Sequence, residues 1–189
     1  MAVLVNTIFE DALDQLFDVA NRFLKAIEAA RIPCRVVGGL AVFLHVEELD
    51  PLAARLTRDV DVAIHRADFD RIRAAVEPHG FRHRHVRGID MFLEAGSIKV
   101  RSAVHLIFLD EKVRESDLAA VPSSEPVRST KGFLIAPVED MVKMKLTSFR
   151  LKDKVHVQDM DSVGLITPEI EASLPVALRE RLAEVRATE

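Results

Sequence analysis

The chain contains neither tryptophan nor tyrosine, and only one cysteine among its 189 residues. Without indole or phenol rings, nothing in it suggests a platform for stacking sugars or RNA bases. A lone cysteine, Cys34, excludes an internal disulfide framework and fits a reducing compartment. Cys34 opens an apolar run, where a small thiol usually packs as a hydrophobe rather than reacts. No apolar run reaches the roughly 18 residues that a membrane span needs. The first residues, Met1-Ala2-Val3-Leu4-Val5, lack a basic stretch and soon meet acidic residues, so they do not read as a signal peptide. The expectation is a cytoplasmic protein without a membrane partner. Strong charge of one sign is missing too: the formal net charge is −4. That argues against whole-surface attraction to nucleic acid, while leaving room for a locally basic groove. No repeat with a period of about 20–50 residues is visible.

Hydrophobic residues make up 49% of the chain and charged residues 30%, the composition of a globular domain with a real core. Apolar residues recur at helical spacing over residues 8–30, with Leu13, Leu16, Phe17, Ala20, Phe23, Leu24 and Ile27 on one face. Asn6 or Thr7 suits the cap, and Pro33 follows the end. A short strand over 34–37 then runs into Gly38-Gly39, a helix over 40–46 and a loop near 47–51. A strand bearing Asp59 and Asp61 follows, then a helix over 66–76 that stops at Pro78-His79-Gly80. From Phe81 the period switches to two. It predicts strands over 81–86, 89–93 and 103–108, with turns at Arg87-Gly88 and Ala95-Gly96-Ser97. Residues 110–128 are polar and read as a loop. A strand over 133–136 leads into a helix over 138–151, which continues or restarts over 152–161. One or two helices over 168–186 are interrupted by Pro175. The order describes a mixed α/β (α+β) domain, a small sheet packed with helices, with a helical C-terminal part.

The chemistry concentrates in residues 35–65. In a strand, Asp59 and Asp61 share one face. Two adjacent carboxylates repel each other unless a cation sits between them, and such oxygen-rich sites suit Mg²⁺, which is usually held by one or two carboxylates plus substrate phosphates. Gly38 and Gly39 have no Cβ, so their backbone can approach a phosphate closely.

A strand, a Gly-Gly turn, a helix and then a strand with Asp-x-Asp resembles the nucleotidyltransferase superfamily, the polymerase-β-like fold. The later segment with Lys143, Lys145, Arg150, Lys152, Asp153, Lys154 and Asp159 is similar to the Lys…Arg-x-Lys-Asp segment of AbiEii-type nucleotidyltransferases, a group that includes toxins of toxin–antitoxin systems. The likeness spans roughly residues 10–165. It implies a nucleotidyltransferase core over 1–130, with a C-terminal strand and helical segment over 131–189 packed on it. It also implies an Mg²⁺-dependent (or Mn²⁺-dependent) enzyme that moves an NMP from an NTP to a hydroxyl on RNA, a protein or a small molecule. An AbiEii-like toxin would act on tRNA or a related target and have a cognate antitoxin.

In this resemblance Asp59 and Asp61 are the metal ligands, and Gly38, Gly39, Thr57 and Arg58 line the nucleotide. Lys145 and Lys152, seven apart and so on one helical face, reach the phosphates. Asp153 serves as third ligand or general base. One departure stands out. On the strand where superfamily members place a third carboxylate, this chain has His105. Asp153 is the leading substitute, with Asp110 and Asp90 behind it. The alternative function is a non-catalytic member of the fold that binds a nucleotide or a protein. Plainer readings stay open for three features. The lysines suit a solvated helix face, His105 a satisfied core histidine, and residues 82–85 either a basic strip or a charge-protected edge strand.

Overall fold

The computed structural model describes residues 2–95 and 103–188, with residues 2–12 as backbone alone. Helix α1 (Ala2–Ala29) leads to strand β1 (Arg35–Val37), which runs without a loop into α2 (Gly38–Leu49). Strand β2 (Val60–Ile64) follows, then a single 3₁₀ turn (Arg66–Asp68) and α3 (Phe69–Val76). Three strands come next: β3 (Phe81–Val86), β4 (Ile89–Glu94) and β5 (Val104–Phe108). Two very short strands, β6 (Val127–Arg128) and β7 (Leu134–Ile135), precede the helices α4 (Val138–Ser148), α5 (Leu151–Ser162), α6 (Pro168–Ser173) and α7 (Val176–Arg186). The strands form one mixed sheet in the order β3-β4-β5-β2-β1-β7-β6.

Most elements lie where periodicity places them, and the differences have local causes. Helix α1 starts at Ala2, ahead of Asn6 and Thr7. Helix propensity penalises those two residues only weakly in an interior position. The expected helix over 138–151 ends at Ser148 because Phe149 adopts a left-handed conformation (φ 52°). Helix α5 then restarts at Leu151, capped by Asp153, whose carboxylate accepts from the Arg150 N–H at 3.2 Å. The turn at Arg87-Gly88 lies between β3 and β4, both residues having positive φ. Of the turn expected at Ala95-Gly96-Ser97, Gly96 and Ser97 lie outside the described residues.

Strand β3 is an edge of the sheet and mostly exposed. Its His83 and His85 both bond one oxygen of Asp90, at 2.8 and 2.9 Å. Burial alone would raise the Asp90 pKa, but the two imidazoles outweigh it and hold the carboxyl below its ordinary value. The 82–85 stretch therefore follows the edge-strand reading, its charges guarding an open edge.

Register fixes which side chains share a face. Asp61 stands opposite Val37 on β1 and His105 on β5, and His105 stands opposite Met91 on β4. The next row, Val60–Val104–Phe92, points the other way. There Phe23 of α1 is fully buried, edge-on to Phe81 at 5.1 Å and tilted against Phe92 at 5.4 Å. Helix α3 joins the same face through Phe69. One face of the sheet is thus core, and the other carries the acidic row. Among the described residues, no helix is long and apolar enough to cross a membrane.

The Phe23 contacts clamp α1 to the sheet. Replacing Phe23 by alanine should therefore cost about 3–5 kcal/mol of unfolding free energy, measured by urea titration, because the rigid ring pair cannot collapse into the space.

Candidate active site

The site begins where β1 becomes α2. Gly38 has a left-handed backbone (φ +70°), and a Cβ built on it would lie 1.9 Å from Oδ2 of Asp61. The Asp61 carboxylate therefore occupies the space that any other residue at position 38 would fill. Gly39 meets a similar limit: a Cβ there would stand 2.6 Å from Oγ1 of Thr57. No side chain caps the first turn of α2 by a hydrogen bond, and with the Asp61 carboxylate and Thr57 hydroxyl beside it the turn still offers N–H groups that favour an anion.

Asp61 is held within β2, one residue in from its start, with β1 on one side and β5 on the other. Asp59 is not. It precedes β2 by one residue, so the strand pleat does not set its direction as the i, i+2 spacing suggested. Its own N–H reaches back to Oγ1 of Thr57 at 3.4 Å, a weak local turn. The long separation between Gly39 and Asp59 is taken up by the extension of α2 to Leu49 and the irregular segment after it.

His105 occupies the position of the missing carboxylate, directly across from Asp61. Its Nδ1 lies 3.3 Å from Asp61 Oδ1. That hydrogen bond, chiefly, raises the His105 pKa above its ordinary value, against the opposing effect of burial. Here the imidazole is a partner of Asp61 rather than a satisfied core histidine.

Lys145 and Lys152 do not share a helical face, because the break at Phe149–Arg150 puts them on α4 and α5. Lys145 is buried, its Nζ 3.3 Å from Asp153 Oδ1. Desolvation lowers its pKa, partly offset by the charges of Asp153 and Asp61. Lys152 is exposed.

Asp153 is fully buried and engaged at both oxygens. Oδ2 accepts from Ser148 Oγ at 2.7 Å, Arg150 Nε at 2.7 Å and the Arg150 backbone, while Oδ1 faces Lys145. Burial would raise its pKa, but Arg150 and Lys145 win and hold it at about 2. A carboxylate so occupied has no oxygen turned out to a metal or a substrate proton. Instead of the expected third ligand or base, Asp153 is a buried anchor for two cations.

Gly38, Gly39, Thr57, Arg58, Asp59, Asp61, His105, Lys145, Lys152 and Asp153 nevertheless all line one cleft of about 780 Å³. The tertiary fold also brings in groups that the sequence reading passed over. His156 lies one turn after Asp153 on α5, and that spacing was the available signal. Burial and then the Lys145 charge push its pKa down to about 4. Residues 111–121 form another wall, with no motif to mark them.

The donor set can be tested against a metal. Among the described residues, no group of three His, Cys, Asp or Glu side chains is gathered to enclose an ion. Asp59 and Asp61 offer hard oxygens at the mouth of an anion-favouring helix end. They fit a cation whose shell is completed by substrate phosphates, and not one caged by protein alone.

Solved structures share this architecture. A crystal structure of ANT(2")-Ia in complex with adenylyl-2"-tobramycin aligns over 90% of this chain and 97% of its own, at 14% identity and a TM-score of 0.55. The crystal structure of an antigenic nucleotidyltransferase-like protein from Paracoccidioides brasiliensis aligns over 93% and 89%, at 18% identity and 0.57. No protein-family model and no curated protein matches the chain. At these identities the likeness establishes the fold, which is that of the nucleotidyltransferases.

Two substitutions probe this geometry. Gly38→Ala should cost at least about 1–2 kcal/mol for the left-handed backbone, and should displace Asp61, seen as a shifted Asp61 carboxyl resonance by NMR. Asp153→Ala strands the buried Lys145 and should cost about 3–5 kcal/mol by denaturant titration. In the parent the folded Asp153 pKa is depressed. Its stabilisation is therefore full above the ordinary value of 3.8 and fades as pH falls towards about 2. The gap between parent and Asp153→Ala should narrow over that window.

Proposed function

We propose that this nucleotidyltransferase fold catalyses metal-dependent transfer of an NMP from an NTP to a hydroxyl acceptor. The single observation that carries the reading is Asp61 seated against Gly38, with Asp59 lining the same cleft at the uncapped N-terminus of α2. Asp59 and Asp61 would hold Mg²⁺ or Mn²⁺. When bound, such an ion neutralises phosphate charge and lowers the pKa of the attacking hydroxyl.

The chain's own residues supply the rest. The N–H groups of the Gly38-Gly39 turn bind phosphate oxygens. Lys145, Lys152 and Arg150 face the charge that builds on the departing pyrophosphate. Thr57 and Arg58 shape the loop before the metal pair. His105 orients Asp61. Asp153 keeps Lys145 and Arg150 aimed at the cleft. The acceptor oxygen forms its bond to the α-phosphorus as the bond to pyrophosphate breaks, and the hydroxyl proton passes to solvent water in the cleft.

The ANT(2")-Ia complex, with its adenylylated small molecule, supports the same reaction class. The Lys145–Asp159 segment supports a closer kinship to AbiEii-type enzymes, with tRNA or a protein as acceptor and an antitoxin as partner. A second reading has its own support: His105 replaces a carboxylate and hydrogen-bonds Asp61. A member of the fold that binds a nucleotide or a protein without turnover would tolerate that change.

The test incubates the purified protein with Mg²⁺ and α-labelled NTPs, alone, with total RNA and with cell lysate. Label transfer that falls by at least about 100-fold in Asp59→Ala and in Asp61→Ala, with the melting temperature preserved, is the expected result. Metal-dependent nucleotide binding without transfer favours the second reading. Absence of any such binding overturns the transfer reading and leaves of the second only its protein-binding form.

A further inference from the structure

Asp59 poses a mechanical problem. Asp61 is fixed by the strands on either side, but Asp59 hangs from an irregular segment. Outside the sheet ladder, no backbone–backbone hydrogen bond among the described residues ties down residues 54–59. The segment's own fastenings are short-range: Leu52 N–H to Asp50 Oδ1 at 2.9 Å, and Asp59 N–H to Thr57 Oγ1 at 3.4 Å. Leu52 is 98% exposed and adds no packing, and Ala53, Ala54 and Leu56 are only partly buried against the core. A metal ligand on such a tether would wander, and a two-carboxylate site has no third protein ligand to compensate.

One side-chain hydrogen bond reaches out of the segment to a rigid element. Arg55 Nε donates to Asp159 Oδ1 at 2.8 Å, across 104 positions of sequence. The partner is unusual. The Asp159 side chain is only 8% exposed, while that of Arg55 is 67% exposed. The other oxygen of Asp159 is buried without a hydrogen-bond partner. A buried carboxylate with one cation to satisfy it holds that cation firmly, because release would leave the charge unpaired. Asp159 also lies on α5, the helix whose first turn carries Lys152 and Asp153. The same helix therefore presents the phosphate-facing cations at one end and grips the metal-bearing segment towards the other.

We propose that Arg55 and Asp159 form a positioning pair that holds Asp59 in register with Asp61 for a divalent cation. The inference rests on the metal-site reading above. Arg55 touches neither metal nor substrate in this account; it acts through the four-residue path to Asp59. Outer groups that orient a ligand commonly carry 10–100-fold in metal affinity, and because removing Arg55 leaves the buried Asp159 charge unpaired, affinity is read beside stability.

The probe is Mn²⁺ alone, titrated against the full chain and read by water-proton relaxation, with melting temperature recorded for each variant. Arg55→Ala should weaken Mn²⁺ binding roughly tenfold, and Arg55→Lys, which keeps the cation, should recover most of it. Asp161→Asn is the control. It removes the charge and at least one of the 2.7 and 2.9 Å bonds by which Asp161, on the same helix as Asp159, holds Arg186 of α7, and should lower the melting temperature while leaving Mn²⁺ affinity unchanged. Parental Mn²⁺ affinity in Arg55→Ala overturns the proposal, as does an equal loss in Asp161→Asn, which would mark a general loosening of α5. If the parent binds no Mn²⁺ that Asp61→Ala removes, the metal-site reading itself fails, a result distinct from either.

Discussion

The close approach of a carboxylate to a glycine is the constraint on which the rest of this structure depends. Asp61 can lie against the start of α2 only because Gly38 has no side chain and accepts a positive φ. That contact joins three elements at one point: β1, which ends at Val37; α2, which starts at once; and β2, which carries the acid. It also sets a negative side chain at the first turn of α2, where the helix dipole favours it. The carboxylate and the positive end of the helix attract each other, which helps to hold Asp61 in place.

A second organising contact lies across the cleft. Lys145 and Asp153 are both buried, and a buried ion pair is costly to desolvate and still more costly to break. Ser148 and Arg150 complete the hydrogen bonding of Asp153, so the cluster is satisfied while its cations border the cleft. The break between α4 and α5 has its reason here. A continuous helix would leave the Arg150 N–H in its own ladder, whereas the turn at Phe149 frees it to be capped by Asp153. Local backbone geometry and site electrostatics are settled by one carboxylate.

The two sides of the cleft are thus built differently. Asp61 is held by the sheet, Lys145 and Arg150 by a buried counter-ion, and Asp59 by a tether whose far anchor is Asp159.

Much of this was legible in the chain. The alternation after Phe81, the helical stripe through Phe23, and the Gly38-Gly39 and Asp59/Asp61 spacing each report a local physical need: a half-buried strand, an amphipathic helix, a bare turn, a paired charge. Local sequence determines these because periodicity and steric freedom act over a few residues. It could not decide what Asp153 is for, since an aspartate reads the same whether it ligates a metal or neutralises a buried lysine; only the packing of α4 on α5 made it the latter. Nor could spacing reveal that Lys145 and Lys152 sit on different helices, that residues 111–121 wall the cleft, or that Arg55 meets Asp159. The sequence by itself determined the elements and the paired acids at their junction. Tertiary structure decided which charges meet, because burial and long-range pairing depend on where distant segments come to rest.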